Sequence, residues 1–247
     1  MKTPAEKTPR SALVTGGSGG IGAAICRRLA ADGLHVIVHA NKGLERAGRL
    51  VDDIQQHGGS AQAVAFDVTD RVAAKAAIEL LLQTGPIQVL VNNAGIHDDA
   101  VFPGMRGEQW DRVLDASLNG FFNVTQPLTL PMIRTRWGRI ISISSVAAVA
   151  GNRGQVNYSA AKGALHAASK SLALELASRG VTVNAVAPGL IDTGMLDGKF
   201  DAEAVKRLVP MLRVGQPREV ADLVGFLASD QAAYISGQVI SINGGMI

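Results

Sequence analysis

The 247 residues are 47% apolar and 18% charged, which suits one large core and a single α/β domain better than two separate ones. A formal charge of +3, scattered along the chain instead of gathered in a Lys/Arg block with interleaved aromatics, argues against nucleic-acid binding. No apolar run reaches the length of a membrane span, the opening MKTPAEKTPR lacks the apolar core of a signal peptide, and the lone Cys26 has neither a disulfide partner nor metal-ligand spacing, so a cytoplasmic protein with no metal site is expected.

Residues 1–9 read as a loose tail and 10–247 as one domain. Short apolar, β-rich runs at 11–15, 34–39, 61–66, 87–92, 139–144, 181–186 and 238–242 predict strands. Segments of helical period at 20–32, 43–57, 70–84, 107–134, 156–179 and 217–228 predict the helices between them. Strands apolar on both faces that alternate with helices indicate a parallel sheet covered on both sides.

The first strand runs into VTGGSGGIG, where Gly16, Ser18, Gly19, Gly20, Ile21 and Gly22 open a helix. Glycines let the backbone approach a pyrophosphate, which exposed N–H groups and the positive end of the helix dipole then hold. Strand before and helix after favour a dinucleotide site, with a plain Gly-rich turn as the alternative. The second strand ends His39-Ala40-Asn41-Lys42. With no carboxylate to accept from ribose hydroxyls, this end favours NADP(H), and Asn41 and Lys42 are candidate phosphate contacts; a solvated loop charge is the alternative for Lys42. Asp67 and Val68, past the third strand, are placed to meet the adenine. Asn93, Ala94 and Gly95 close the fourth strand beside the cofactor.

Next comes the long helix predicted over 107–134. As one continuous α-helix it places Val113, Ser117 and Phe121 on a single stripe and Asp115, Asn119 and Asn123 on a separate polar one. Positions two apart differ by about 200° around the axis, so Ser117 and Asn119 cannot both face a site, and Ser117 is the inward one.

After the fifth strand stand Ser144-Ser145, then Tyr158 and Lys162 four residues apart on a helix. That spacing lets phenol and ammonium share one face. Lys162 is expected to favour the phenolate, lowering a phenol pKa of about 10, and Ser145 can bond the same substrate oxygen. The set suits carbonyl reduction, with Tyr158 delivering a proton to oxygen. The loop at 189–210, with a short helix, lies where it would cover a ligand.

TGGSGGIG, NNAG, SS followed by YSAAK, and the later APG at 187–189 with Thr193 together resemble the short-chain dehydrogenases/reductases over nearly the whole chain. GNRGQVNYSAAKGAL, ELASRGVTVNAVAPG and FLASDQAAYISGQVISINGGM are most similar to the bacterial 3-oxoacyl-(acyl-carrier-protein) reductases in that family. The resemblance implies a Rossmann fold with strand order 3-2-1-4-5-6-7, a homotetramer, and NADPH-dependent reduction of a β-keto thioester to the (R)-3-hydroxy product. It adds Pro188, Gly189, Ile191 and Thr193 to the cofactor contacts. It also implies docking of acidic acyl carrier protein on Arg136 and Arg179 near the active-site entrance; a helix-dipole complement is the alternative role for a helix-terminal Arg. Counting from Trp110, Ser117 stands where the family carries a fourth catalytic residue, an Asn that helps bind a water joining the Lys to solvent. Two rival readings stay open, a reductase of another carbonyl and a non-catalytic NADP(H) sensor on the same fold.

Overall fold

Residues 9–194 and 202–247 are described by a computed structural model of the chain. The β-rich runs form β1 (Ser11–Val14), β2 (His35–Ala40), β3 (Ser60–Ala65), β4 (Ile87–Asn92), β5 (Gly138–Ile143), β6 (Val181–Pro188) and β7 (Val239–Ile242). All pair in parallel, in the order β3-β2-β1-β4-β5-β6-β7. The expected Rossmann order is therefore present, and each strand lies within two residues of its expected limits. Every residue of β5 and β6 is buried, as a sheet covered on both faces requires.

Alternate residues of each strand feed two cores. Ala12, Val14, Val36, Val38, Val89 and Val91 pack on one side, with α1 (Gly20–Ala31), α2 (Leu44–Gln56) and α9 (Pro217–Ala228). Leu13, Ile37 and Leu90 pack on the other, with α3 (Arg71–Leu82), α5 (Gly120–Thr135) and α7 (Val156–Leu176). In α2 the buried residues Ala47, Leu50, Val51 and Ile54 recur at the helical period. Asp70 caps α3 by accepting from the Val72 and Ala73 N–H groups, and Pro217 with the Gln216–Glu219 box starts α9.

The chain leaves β1 for β2 and β3 on one side and returns to β4 on the other. This reversal opens a crevice at the C-terminal ends of β1 and β4, where ligands bind in such sheets.

The long helix differs from its expected form. It divides into α4 (Gly107–Leu114), one π-helical turn at Asp115–Asn119, and α5. The extra residue in the turn rotates everything after it, so Asn123 faces inward and the expected polar stripe does not exist. Asn123 is buried, donates to the Val68 carbonyl at 2.9 Å and accepts from Arg71 at 3.1 Å. Asn119 is exposed and donates to Asp115. The helix expected to 179 ends at Leu176 and finishes in a 3₁₀ turn, Ala177–Arg179. Among the described residues two further short helices form, α6 (Ala147–Ala150) and, in the loop expected to carry one, α8 (Ala202–Leu208). Residues 1–8 of the expected tail, and 195–201 of that loop, lie outside the described residues. Among the described residues no helix is long and apolar enough to cross a membrane, and no group of three or more His, Cys, Asp or Glu is placed to hold a metal ion.

Candidate active site

The turn between β1 and α1 is built by interlocking backbone groups. Thr15 Oγ1 accepts from the Asn93 and Ala94 N–H groups, each at 3.0 Å, and Asn93 Nδ2 donates to the Thr15 and Gly16 carbonyls. The turn after β4 thus braces the glycine loop. Gly16 sits at φ +61°, and a Cβ on Gly22 would lie 2.3 Å from the Gly16 carbonyl, so a side chain at either position would break the turn. No side chain caps α1, whose first N–H groups stay free toward the crevice.

A cleft of about 510 Å³ runs from this loop to the reacting side chains. It brings together most of the expected residues. Gly16, Ser18, Gly19, Gly20, Ile21, Gly22, Asn41, Asn93, Ala94 and Gly95 line one part, and Ser145, Tyr158, Lys162, Pro188, Gly189, Ile191 and Thr193 the other. A neighbouring cavity of about 440 Å³ shares Gly16, Asn41, Ala94 and Gly95 and adds Asp67 and Val68. Asp67 accepts from the Thr69 N–H and hydroxyl, contacts that hold its carboxyl below the usual range, with further bonding from Asn41 and the charge of Lys42. Lys42 is exposed and does not line either cavity. Arg46, in the first turn of α2, lines the cleft beside Asn41 in its place. Sequence reasoning passed over Arg46 because it belongs to a helix, and no residue pattern marked a basic group six positions past the strand end.

At the reacting end, Tyr158 and Ser145 line the same part of the cleft and their side chains interact. Burial raises the Tyr158 phenol above its ordinary 10.0, a rise that the Ser145 side chain offsets in part and the charge of Asp99 reinforces. This corrects the expectation of a phenolate. The Lys162 ammonium lies 5.8 Å from the Tyr158 ring centroid and donates to the Ile143 carbonyl at 2.8 Å. Burial lowers it to about 8. The phenol is therefore held protonated, as a proton donor must be.

Asn157 anchors this arrangement. Fully buried, it donates to the Asp98 and Gln109 carbonyls and accepts from the Tyr158 N–H at 2.8 Å, joining α4 to the start of α7. Ser144 hydrogen-bonds the Lys162 carbonyl and His166, tying the end of β5 to the same helix.

Ser117 lies in the π turn, 3% exposed, and its hydroxyl has no hydrogen-bond partner among the described residues. A Cβ built on Gly95 would stand 3.0 Å from Lys162 Nζ and 3.3 Å from Ser117 Oγ, so both groups converge on Gly95. Asn119 is not part of this cluster.

Arg136 and Arg179 are brought together, with an Arg136 guanidinium nitrogen donating to the Ser178 carbonyl at 3.4 Å. They precede β5 and β6, however, whereas Ser145 follows β5. About 20 Å of strand separates them from Tyr158. The expectation that they stand near the active-site entrance is therefore not met within this chain.

A profile of the short chain dehydrogenase family matches residues 10–204. The 3-oxoacyl-(acyl-carrier-protein) reductase FabG of Aggregatibacter actinomycetemcomitans is 45% identical over 95% of this chain and 98% of its own. The protein of the same name from Staphylococcus aureus strain Mu50 is 46% identical over 97% and 99%. Nodulation protein G of Azospirillum brasilense is 43% identical over 95% and 97%.

Proposed function

Because the chain belongs to the short-chain dehydrogenase family, we propose that it is an oxidoreductase that uses NADPH to reduce a 3-oxoacyl thioester, carried on acyl carrier protein, to the (R)-3-hydroxyacyl thioester in fatty-acid or polyketide-like biosynthesis. The observation that carries the reading is the convergence of Ser145, Tyr158 and Lys162 at one end of a cleft whose other end is the glycine loop. The names of the relatives supply the substrate class.

The cleft fits a dinucleotide on its own geometry. A Cβ on Gly20 would meet Thr193 at 2.8 Å and one on Gly22 would meet the loop carbonyl, so only glycines let the loop pack this closely against the start of α1, whose N–H groups would hold a pyrophosphate. Asn41 and Arg46, with no acid at the end of β2, suit a 2′-phosphate; Arg presents a forked donor for such an anion. Asp67 and Val68 would border the adenine. When bound, the nicotinamide supplies the hydride that reaches the substrate carbon.

Tyr158, held neutral by burial, donates its proton to the carbonyl oxygen as negative charge develops there, and Ser145 donates a hydrogen bond to the same oxygen. The developing phenolate is stabilised by the Lys162 ammonium beside it. Lys162 then restores the phenol's proton, and Ser117, converging on Lys162 beside Gly95, helps hold the water through which Lys162 is recharged from solvent. Carrier docking on Arg136 and Arg179 belongs to an assembly of subunits, a homotetramer, in which this edge of one copy lies near the cleft of another. The setting of such a pathway is the cytoplasm.

The test is NADPH oxidation with acetoacetyl thioesters on carrier protein and on small thiols, with NADH as comparator. Turnover should need the β-keto thioester and prefer NADPH. Tyr158→Phe should lose about 10²–10⁴-fold, the range for a positioned proton donor. Full activity in that variant would overturn the mechanism, and turnover confined to other ketones would move the chain elsewhere in its family.

A further inference from the structure

His39, the penultimate residue of β2, is 1% exposed and is used by neither the proton path nor the phosphate contacts above. Both of its ring nitrogens are occupied. The Gly16 N–H points at Nδ1 at 3.1 Å, and Nε2 lies 2.9 Å from the Phe66 carbonyl. The His39 carbonyl meanwhile accepts from the Gly17 N–H at 2.8 Å. One residue therefore grips two successive N–H groups of the glycine loop. Its ring, tilted against Phe66 at 4.2 Å, also lines the cavity that holds Asp67 and Asn41.

The two contacts dictate a protonation state. An amide N–H can only donate, so Nδ1 must present its lone pair; a carbonyl can only accept, so Nε2 must carry the hydrogen. A second proton would set an N–H of Nδ1 against the N–H of Gly16. We infer that neutral His39 is a positioning residue for the dinucleotide, a latch that fixes the glycine loop in its binding shape and that opens when the imidazole is protonated. The inference rests on the reading of this cleft as a dinucleotide site.

The charged and titratable groups around His39 leave the latch closed at neutral pH. Burial favours the neutral ring most strongly and moves its pKa below the ordinary 6.5, against smaller upward effects of the Phe66 bond and the Asp67 carboxylate. Arg112 and Asp115 enter the same cavity with opposite charges, Arg46 and Lys42 lie beyond Asn41, and Cys26 under Gly17 is a neutral thiol because burial raises its pKa. The sign follows. A histidine whose folded pKa is depressed keeps its contribution at high pH and loses it as pH falls below about 6.5 through the folded value.

The test compares NADP⁺ binding to the wild-type protein and His39→Asn by titration calorimetry at about pH 8 and at an acidic pH where the imidazole ¹⁵N shifts show the wild-type ring protonated. Asn Oδ1 can accept from Gly16 but cannot be protonated, so it restores the latch without its titration. Taking the ratio of the two dissociation constants at each pH cancels any protonation of the nucleotide itself. The wild-type protein should weaken about tenfold relative to His39→Asn on acidification, the effect of one lost hydrogen bond with its donor left buried. His39→Leu should bind weakly at both pH values, with KM for the cofactor raised and kcat retained. An unchanged ratio between wild type and His39→Asn would overturn the latch. If His39→Asn does not fold, ¹⁵N shifts of the wild-type imidazole decide: at about pH 8 the Nδ1 resonance must be that of an unprotonated nitrogen, and a protonated Nδ1 would refute the inference. Failure of the wild-type protein to bind NADP⁺ at about pH 8 would instead refute the dinucleotide reading, and the imidazole shifts would still judge the latch.

Discussion

Ser117 joins two facts that pull in opposite directions. A buried hydroxyl with no partner among the described residues destabilises a fold by about 1–3 kcal/mol unless something else satisfies it, and yet it stands against Gly95 beside Lys162 Nζ. A residue kept for packing alone would be better as Ala. Ser117→Ala is therefore expected to unfold no more easily than the parent and to lose more than about threefold in kcat, or about 0.7 kcal/mol of transition-state stabilisation. Thermal unfolding and steady-state kinetics measure the two quantities separately. Stability unchanged with kcat also unchanged would remove Ser117 from the proton path. The position of Ser117 was legible because Trp110, Ser117 and the family spacing agree within the first half of the helix. The state of Tyr158 was not. Its spacing to Lys162 predicts a neighbouring ammonium correctly but says nothing of burial, and burial is the largest influence on both groups. Arg46 escaped notice for a similar reason, since a pocket assembled from a strand end and the next helix is not a pattern in either segment.

At the scale of elements, periodicity gave seven strands and the major helices because each has one face to bury and a recognisable end. It failed at the π turn, Asp115–Asn119, where no residue type marks the added position. The turn moves Ser117 against Gly95 and, in the same rotation, swings Asn123 onto the Val68 carbonyl. Its C-terminal neighbour Gly120 makes the fit possible, because a Cβ there would lie 2.9 Å from Val68 Cγ2. Gly120→Ala places a methyl against Val68, which lines the cavity proposed for the adenine. Overpacking of this kind costs about 1–3 kcal/mol, which exceeds the gain in helix propensity, about 1 kcal/mol. The variant should show a lower denaturation midpoint and weaker NADPH binding with kcat at saturation nearly preserved. A more stable variant with unchanged cofactor affinity would mean that the turn yields and does not hold Val68 in place.

For the whole molecule, the sheet sets where chemistry and docking can occur. Parallel strands put every C-terminal end at one edge, and Ser145, Tyr158 and the glycine loop all follow from that. The same rule puts Arg136 and Arg179 at the other edge, about 20 Å away along β5. If both arginines guide an acidic carrier, the thioester they deliver must enter the cleft of another copy, and an isolated subunit is incomplete for its macromolecular substrate while complete for a small one. Mixed oligomers separate these cases. Arg136→Glu/Arg179→Glu subunits keep the catalytic set and should reduce a small-thiol acetoacetyl thioester at the parent rate, with the carrier-bound thioester turned over poorly. Tyr158→Phe subunits keep the docking edge and should be inactive toward both. Co-expressed, the two should recover carrier-dependent turnover at least about tenfold above either alone, since reversing the charge of a docking pair acts mainly on encounter and each cleft can borrow the edge of its neighbour. Assembly of the mixed species is checked by native mass spectrometry. Mixed oligomers that form and yet reduce only the small thioester would place the carrier elsewhere and leave Arg136 and Arg179 as complements to the ends of α5 and α7.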